Sequence, residues 1–306
     1  MKTLFVNIRY LIVPIMSIGT IYGLIIGGLY IWTGVFLFGL CIILDTITKN
    51  IHLKADFDKN GNSYGIKSLQ YAIMYLMLFV FIALQLALAW RIYQYVNTTA
   101  FDTSIIYGLT IQNGITTINL IGAVISAGLW AGIGIIYGHE LSHNKKQGFL
   151  MSRLIMSLSG ASHFTYAHVY QHHLHLGNED DPATAPRGRN IYMHTWLSHA
   201  GQCKFSYDLE KSRLEKQEKP FLSLSNKWIL GYIYSLPSVI LFIWAGGFLG
   251  LAALLTLWII ANFELDINLS DSKYWANAKI KAKGIVSRIL FILVLMQSKL
   301  VILTPF

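Results

Sequence analysis

The chain has 306 residues, 54% of them hydrophobic and 13% charged, with a mean hydropathy of +0.50. A soluble domain carries about 25% charged residues, so this composition excludes an ordinary soluble protein and indicates an integral membrane protein with a modest polar region. The net charge is +9, but the basic residues gather beside apolar runs, which fits membrane topology and anionic lipid rather than nucleic acid. Cys41 and Cys203 are the two cysteines, far apart in sequence, and they imply neither a disulfide framework nor a cysteine metal site.

Residues 10–44 contain no charge. A crossing needs about 20 apolar residues, so this run predicts two short or tilted spans, 11–27 and 29–44, turning near Gly27-Gly28. Lys2 and Arg9 precede it in the manner of a signal peptide, but no small-residue cleavage site follows, and the run reads as a retained span. A polar loop from Asp45 to Lys67 carries four lysines and an isolated His52. A third span covers 69–90, closed by Trp90 and Arg91, and a polar connection from Arg91 to Asn113 leads to a fourth span, 115–137. Phe149 to Phe164 is apolar apart from Arg153 and predicts a helix that re-enters or lies along the membrane. Gln202 to Lys219 is a charged run of the kind a solvated helix shows. Residues 228–263 are again uncharged, and Gly246-Gly247 divides them into spans 228–244 and 247–263.

The expected fold is therefore all-α, with about six transmembrane helices in a membrane domain over 1–264 and a polar region over 138–227. Lysines and arginines concentrate at the N-terminus, in the 45–67 loop and between Lys145 and Lys227. The positive-inside rule places that side, and both termini, in the cytosol.

Two histidine clusters fall in the cytosolic region: His139 and His143, directly after a span, and His168, His172 and His173, after the second apolar segment. Residues four apart on a helix share a face, so His139 with His143, and His168 with His172, can each address one ion. Ionisable groups at a membrane edge are functional by default; interfacial histidines packed among aromatics are the bland alternative. The set has no thiolate, and imidazole suits zinc, copper, iron and nickel. The segment His139-Glu140-Leu141-Ser142-His143 also fits the His-Glu-x-x-His pattern of zinc proteases, in which the Glu is the general base. The second cluster favours more than one ion.

These two boxes, with His163-Phe164 five residues before the second, Asp181-Pro182-Ala183-Thr184, Gly188, Ile191 and Tyr192, resemble the membrane-bound alkane monooxygenases of the histidine-box, desaturase-like superfamily. The resemblance is strongest from about Trp130 to Tyr192. It implies a bacterial inner-membrane enzyme that hydroxylates the terminal methyl group of an alkane with O2. It also implies a non-haem di-iron centre held in part by His139, His143, His168, His172 and His173. Rubredoxin, reduced by rubredoxin reductase, would supply the electrons, steered by Lys145, Lys146, Arg187 and Arg189. Trp32 is a bulky residue that could limit a substrate channel. A membrane desaturase or hydroxylase acting on acyl chains and a membrane zinc protease are the alternatives.

The sequence departs from the family in several places. Ala167 stands where a Glu is usual, Asn144 where a Lys is usual, and Pro186-Arg187 is altered. Ala261-Asn262-Phe263-Glu264-Leu265-Asp266 begins like the family's third box but lacks its histidine, and no histidine follows His199. His163, His175, His194, His199, Glu140, Glu264 and Asp266 are the residues that could supplement the five. The tail 265–306, with Arg288 and Lys299 in an apolar run, does not match the family. The expectation is a frameshifted or truncated C-terminal part and a chain that binds one iron weakly or none.

Overall fold

The computed structural model describes residues 2–48, 65–144, 147–175, 178, 180–184, 186 and 189–270. Residues 49–64 of the lysine loop, with His52, the side chains of Glu264 and Asp266, and the tail with Arg288 and Lys299 lie outside the described residues, while 45–48 extend α2 and Lys67 opens α3.

Helices α1 (Lys2–Ile26) and α2 (Thr33–Thr48) are antiparallel, and Gly19 packs on Leu37 between them. The reversal occurs at Gly27 and Gly28, with φ angles of 87° and 57°, which residues bearing a Cβ seldom adopt. The turn lies where the sequence predicts it. Helix α3 (Lys67–Asn97) continues two turns beyond the expected end at Trp90. The reason is Arg91, which does not face an interface but is fully buried. Its guanidinium donates to the carbonyls of Leu24 and Ile25 at the end of α1, to the Gln112 carbonyl and to Gln94. The last carbonyls of a helix have no partner within it, and Arg91 supplies one from a neighbouring helix.

The 91–113 connection also departs from an all-α fold. It holds a two-stranded antiparallel hairpin, β1 (Thr103–Ile106) and β2 (Leu109–Gln112), with Thr103 opposite Gln112. Tyr107 and Gly108, both at positive φ, make the two-residue turn that such hairpins prefer.

Helix α4 (Thr117–Ser142) starts where the Thr116 side chain accepts the Asn119 N–H and forms the axis of the bundle. Small residues let its neighbours approach closely: Gly122 lies against Trp32, Gly128 against Ile260 and Gly134 against Phe81. Trp130 is buried and donates from its indole to the Gly34 carbonyl at 2.9 Å.

Helix α5 (Gln147–Leu158) folds back along α4 and ends among the apolar helices. Its terminal carbonyls are satisfied by side chains. Gln85 and Trp258 both donate to Leu158 O at 2.7 Å, Ser235 to Ser157 O at 2.6 Å and Asn262 to Ser159 O at 2.7 Å. A helix end with no water nearby requires such partners. The short helices α6 (Phe164–Ala167) and α7 (His173–His175) flank a π-helical turn, His168–His172.

Helix α8 (Ile191–Glu215) begins eleven residues before the charged run at Gln202, with the Asn190 side chain as its N-cap. It is less solvated than that run suggests, since Glu210 and Leu214 are buried. Glu210 pairs with Arg213 at 2.6 Å and accepts the Lys227 N–H at 2.5 Å, tying α8 to α9 (Lys227–Ile233).

Helix α10 (Leu236–Ser270) is interrupted at Gly246 and Gly247. Residues eight apart in a straight helix are separated by about 12 Å, yet a Cβ on Gly250 would collide with the Phe242 carbonyl. The chain therefore doubles back there. Gly246 rests on Ile92 of α3, while Gly231 and Asn262 both reach the 159–162 segment. Among the described residues, Lys67–Asn97, Thr117–Ser142 and Lys227–Phe263 are long and apolar enough to cross a membrane, with shorter apolar helices over Tyr10–Ile26 and Gly28–Ile43.

Candidate metal centre

Helix α4 delivers His139 in its last turn and His143 at its C-cap. The second cluster does not follow simple i, i+4 spacing. In a π-helical turn the repeat is i to i+5, so both His172 and His173 come beside His168, with ring centroids 5.3 Å and 4.5 Å from it. The Nε2 atoms of His168 and His173 are 2.9 Å apart, and those of His139 and His168 are 2.7 Å apart. Ligating atoms of His139, His143 and His168 all lie within 4.8 Å of one another. Phe164 stacks on His168 with ring centroids 5.1 Å apart and closes that side.

This constellation fits a metal. A neutral imidazole has one N–H and one acceptor nitrogen. The His168 Nε2 faces two other Nε2 atoms, while its buried Nδ1 has no hydrogen-bond partner. The single Nε2 of His168 cannot form a full hydrogen bond with both neighbours, whereas a cation accepts every lone pair directed at it. The electrostatics agree. Burial, and then the neighbouring imidazoles, hold His168 well below its ordinary pKa. Burial and the same neighbours bring His173 down to about 4. Burial and His139 lower His143 against the opposing effect of Glu140. These rings are thus neutral at pH 7, the form that ligates.

His172 has a different environment. Its Nδ1 is 2.8 Å from Oδ2 of Asp181, which is 1% exposed. Asp181 in turn accepts the Ala183 N–H at 3.0 Å and the Thr184 hydroxyl at 2.6 Å. Burial pushes this carboxyl up, but the bonds from His172, Thr184 and Ala183 outweigh it and keep Asp181 below the usual carboxylate range. A carboxylate on the far nitrogen fixes the tautomer and aim of a ligating imidazole. Ala167 removes the usual Glu before His168, and Asp181 supplies a carboxylate from nine residues beyond His172. Sequence reading registers Asp181 only as part of the Asp-Pro-Ala-Thr resemblance and misses this contact.

Glu140 approaches His139 on its Nδ1 side, at 3.3 Å. That is the side away from the converging Nε2 atoms, not where a protease's general base would stand. Of the supplementary histidines, His175 is exposed, and His194 is buried beside the Asp181–Ala183 loop. His163 is buried edge-on against His199 with centroids 4.5 Å apart. Sequence spacing gives no sign of that pairing. Lys145, Lys146, Arg187 and Gly188 lie outside the described residues; Arg189 is exposed.

A family model described as fatty acid desaturase matches residues 115–272, more than half of the chain, and includes both histidine boxes. The chain belongs to the fatty acid desaturase family. Within this family it is similar to alkane 1-monooxygenase from Pseudomonas putida, with 30% identity over 110 residues, 35% of this chain and 27% of the relative. It is similar to alkane 1-monooxygenase 1 from Alcanivorax borkumensis, with 34% identity over 105 residues, 34% of this chain and 26% of the relative. The xylene/toluene monooxygenase hydroxylase component XylM of Pseudomonas putida is 25% identical over 267 residues, 84% of this chain and 64% of that protein. The chain thus spans about a quarter of the length of the first two relatives in the matched region.

Proposed function

We propose that this chain is a membrane monooxygenase of the alkane hydroxylase type. The overall reaction converts R–CH3, O2, two electrons and two protons into R–CH2OH and water. The observation that carries the reading is the convergence of imidazole Nε2 atoms from His139, His168 and His173 at the end of an apolar helix. His139, His143, His168, His172 and His173 would hold iron, which when bound supplies the O2-activating redox chemistry. Asp181 keeps the Nδ1–H of His172 engaged, leaving its Nε2 lone pair for a metal. Phe164 and the apolar residues of α4 keep the inner side dry, where a hydrocarbon can approach.

The same reading supplies the topology. Two short helices, α3, α4 and the two arms folded at Gly246-Gly247 give six crossings, with the histidines on the cytosolic face of the inner membrane. A hydrocarbon dissolved in the bilayer can then reach the centre from within the bundle. Electrons arrive from a soluble carrier such as rubredoxin, itself reduced by rubredoxin reductase. Similarity to alkane 1-monooxygenases and to a xylene/toluene monooxygenase component favours a hydrophobic hydrocarbon as the substrate, rather than an acyl chain.

The test is metal analysis of the purified chain followed by conversion of octane and toluene with rubredoxin and its reductase. Bound iron, even below one per chain, with formation of 1-octanol or benzyl alcohol that His168→Ala abolishes, supports the reading; a chain with neither iron nor alcohol product refutes it. One tight zinc per chain with no iron would return the protease reading to first place.

A further inference from the structure

Between α8 and α9 the chain passes through a loop, 216–226, that presents two leucines to its surroundings. Leu222 and Leu224 are 85% and 84% exposed. They stand five and three positions before Lys227, where the apolar stretch Lys227–Phe263 begins. Exposed apolar side chains grouped in this way mark a surface for a membrane or another protein.

The loop is pinned in this pose. The Glu218 N–H donates to the Glu215 carbonyl at 3.1 Å and the Lys219 N–H to the Leu214 carbonyl at 3.0 Å. That is a Schellman closure of α8, with Glu218 at a φ of 54° in the left-handed position that glycine usually fills. Arg213 then donates to the Ser225 carbonyl at 2.7 Å and joins the two ends of the loop. Asn226 donates to the Phe221 carbonyl at 2.8 Å and caps α9 by accepting the Ile229 N–H at 3.0 Å. Phe221 turns inward, with its ring 4.9 Å from that of Tyr207. Its neighbours Leu222 and Leu224 are left outside.

Charge names the partner. Lys211, Lys216, Lys219 and Lys227 are exposed around the loop, against the exposed Glu215 and Glu218; Glu215 lies 4.0 Å from Lys211. Leucines ringed by an excess of lysines match an anionic bilayer surface. The leucines enter the acyl boundary while the lysine stems reach back to lipid phosphates. A soluble acidic protein would also attract the lysines, but the leucines sit at the mouth of a membrane-crossing segment, where lipid is the adjacent medium.

We propose that the 216–226 loop anchors α8 to anionic lipid, with Leu222 and Leu224 inserted and Lys216 and Lys219 on headgroup phosphates. The proposal rests on the reading of Lys227–Phe263 as membrane-crossing. Gly201 of the same helix packs on Pro182, beside Asp181, so the anchor holds from the lipid side a helix that backs the metal centre.

The test places a bimane label at Leu224→Cys, in a Cys41→Ala/Cys203→Ser chain reconstituted in phosphatidylcholine nanodiscs. Quenchers are lipids with a nitroxide high on the acyl chain, bearing either a choline or a glycerol headgroup. Quenching should exceed that of a label at Lys204→Cys, whose native side chain is 78% exposed. A lysine at an anionic surface favours it about fivefold, so the phosphatidylglycerol nitroxide should quench at least about twofold better than the choline lipid. Lys216→Gln with Lys219→Gln should erase that preference, and Leu222→Asp should reduce quenching by both lipids; each variant is checked for an unchanged melting temperature. Quenching at 224 no stronger than at 204, or equal quenching by the two lipids, would overturn the proposal. So would a label reached by a water-soluble nitroxide in place of lipid, which would leave the loop to a soluble partner. An impermeant maleimide on Lys204→Cys in sealed vesicles of each orientation reads the face separately. Reaction from the periplasmic face alone would refute the topology given above and leave the lipid contact standing, whereas a chain that hydroxylates without the lipid contact overturns this proposal alone.

Discussion

Asp181→Asn isolates the link between the Asp-Pro-Ala-Thr segment and the metal centre. The carboxylate is 1% exposed and receives three hydrogen bonds, from His172 Nδ1, the Ala183 N–H and the Thr184 hydroxyl. An amide has one acceptor oxygen. It cannot take all three donors, and it turns an N–H toward at least one of them. Loss of the partner behind a ligating imidazole typically costs 10–100-fold in metal affinity, or about 1.4–2.7 kcal/mol. Asp181→Ala should reach the upper end of that range. Thr184→Val, which removes one of the three bonds and keeps the charge, should cost a few-fold. Iron affinity would be read by chelator competition on detergent-solubilised protein, with a melting curve to separate ligand loosening from unfolding. If Asp181→Asn changed iron affinity less than twofold while His168→Ala abolished binding, the orienting role of Asp181 would be wrong.

Three further outcomes follow from the fold. Arg91→Met leaves the carbonyls at the end of α1 without donors in a dry site, and a loss of at least about 3 kcal/mol is expected in thermal or urea unfolding in detergent; Arg91→Lys, with its single donor group, should not restore it. Gly134→Ala forces a methyl group into the Phe81 ring and should lower stability by about 1–3 kcal/mol through overpacking, an effect relieved by adding Phe81→Leu. For Glu210, burial raises the carboxyl, but the Arg213 and Lys227 bonds outweigh it and lower the folded-state pKa. Its contribution is therefore complete above the unfolded value near ~4.3 and is lost as pH falls through the folded value. Glu210→Gln should flatten the acid limb of a melting temperature–pH plot while lowering the plateau at neutral pH.

Much of this molecule follows from local pattern. Uncharged runs locate the apolar helices because the bilayer is uniform and length alone decides what crosses it. Gly27, Gly28 and Gly247 mark reversals because the positive φ each adopts is one that residues with a side chain seldom take. The two histidine clusters stand out because so many imidazoles at a membrane edge have few other uses.

Contacts distant in sequence are a different matter. Arg91 reads as a residue at an interface, but it is drawn inside by carbonyls on α1, 66 and 67 positions away. The charged run after Gln202 reads as solvated, yet Glu210 is covered once α9 docks on it. His163 meets His199 only because α8 packs on α6.

The five histidines show the division most clearly. Their presence, and the His139–His143 pair on α4, are written in the sequence, since an α-helical repeat brings i and i+4 together. How the residues of the second cluster meet His168 is not. The π-helical turn and the Asp181 carboxylate decide how each does so: His173 brings its Nε2 to that of His168, while His172 stacks on His168 and is held by its Nδ1. A periodic pattern fixes a helix face only where the helix keeps its period. Where packing stretches a turn, the three-dimensional neighbours set the aim of each side chain.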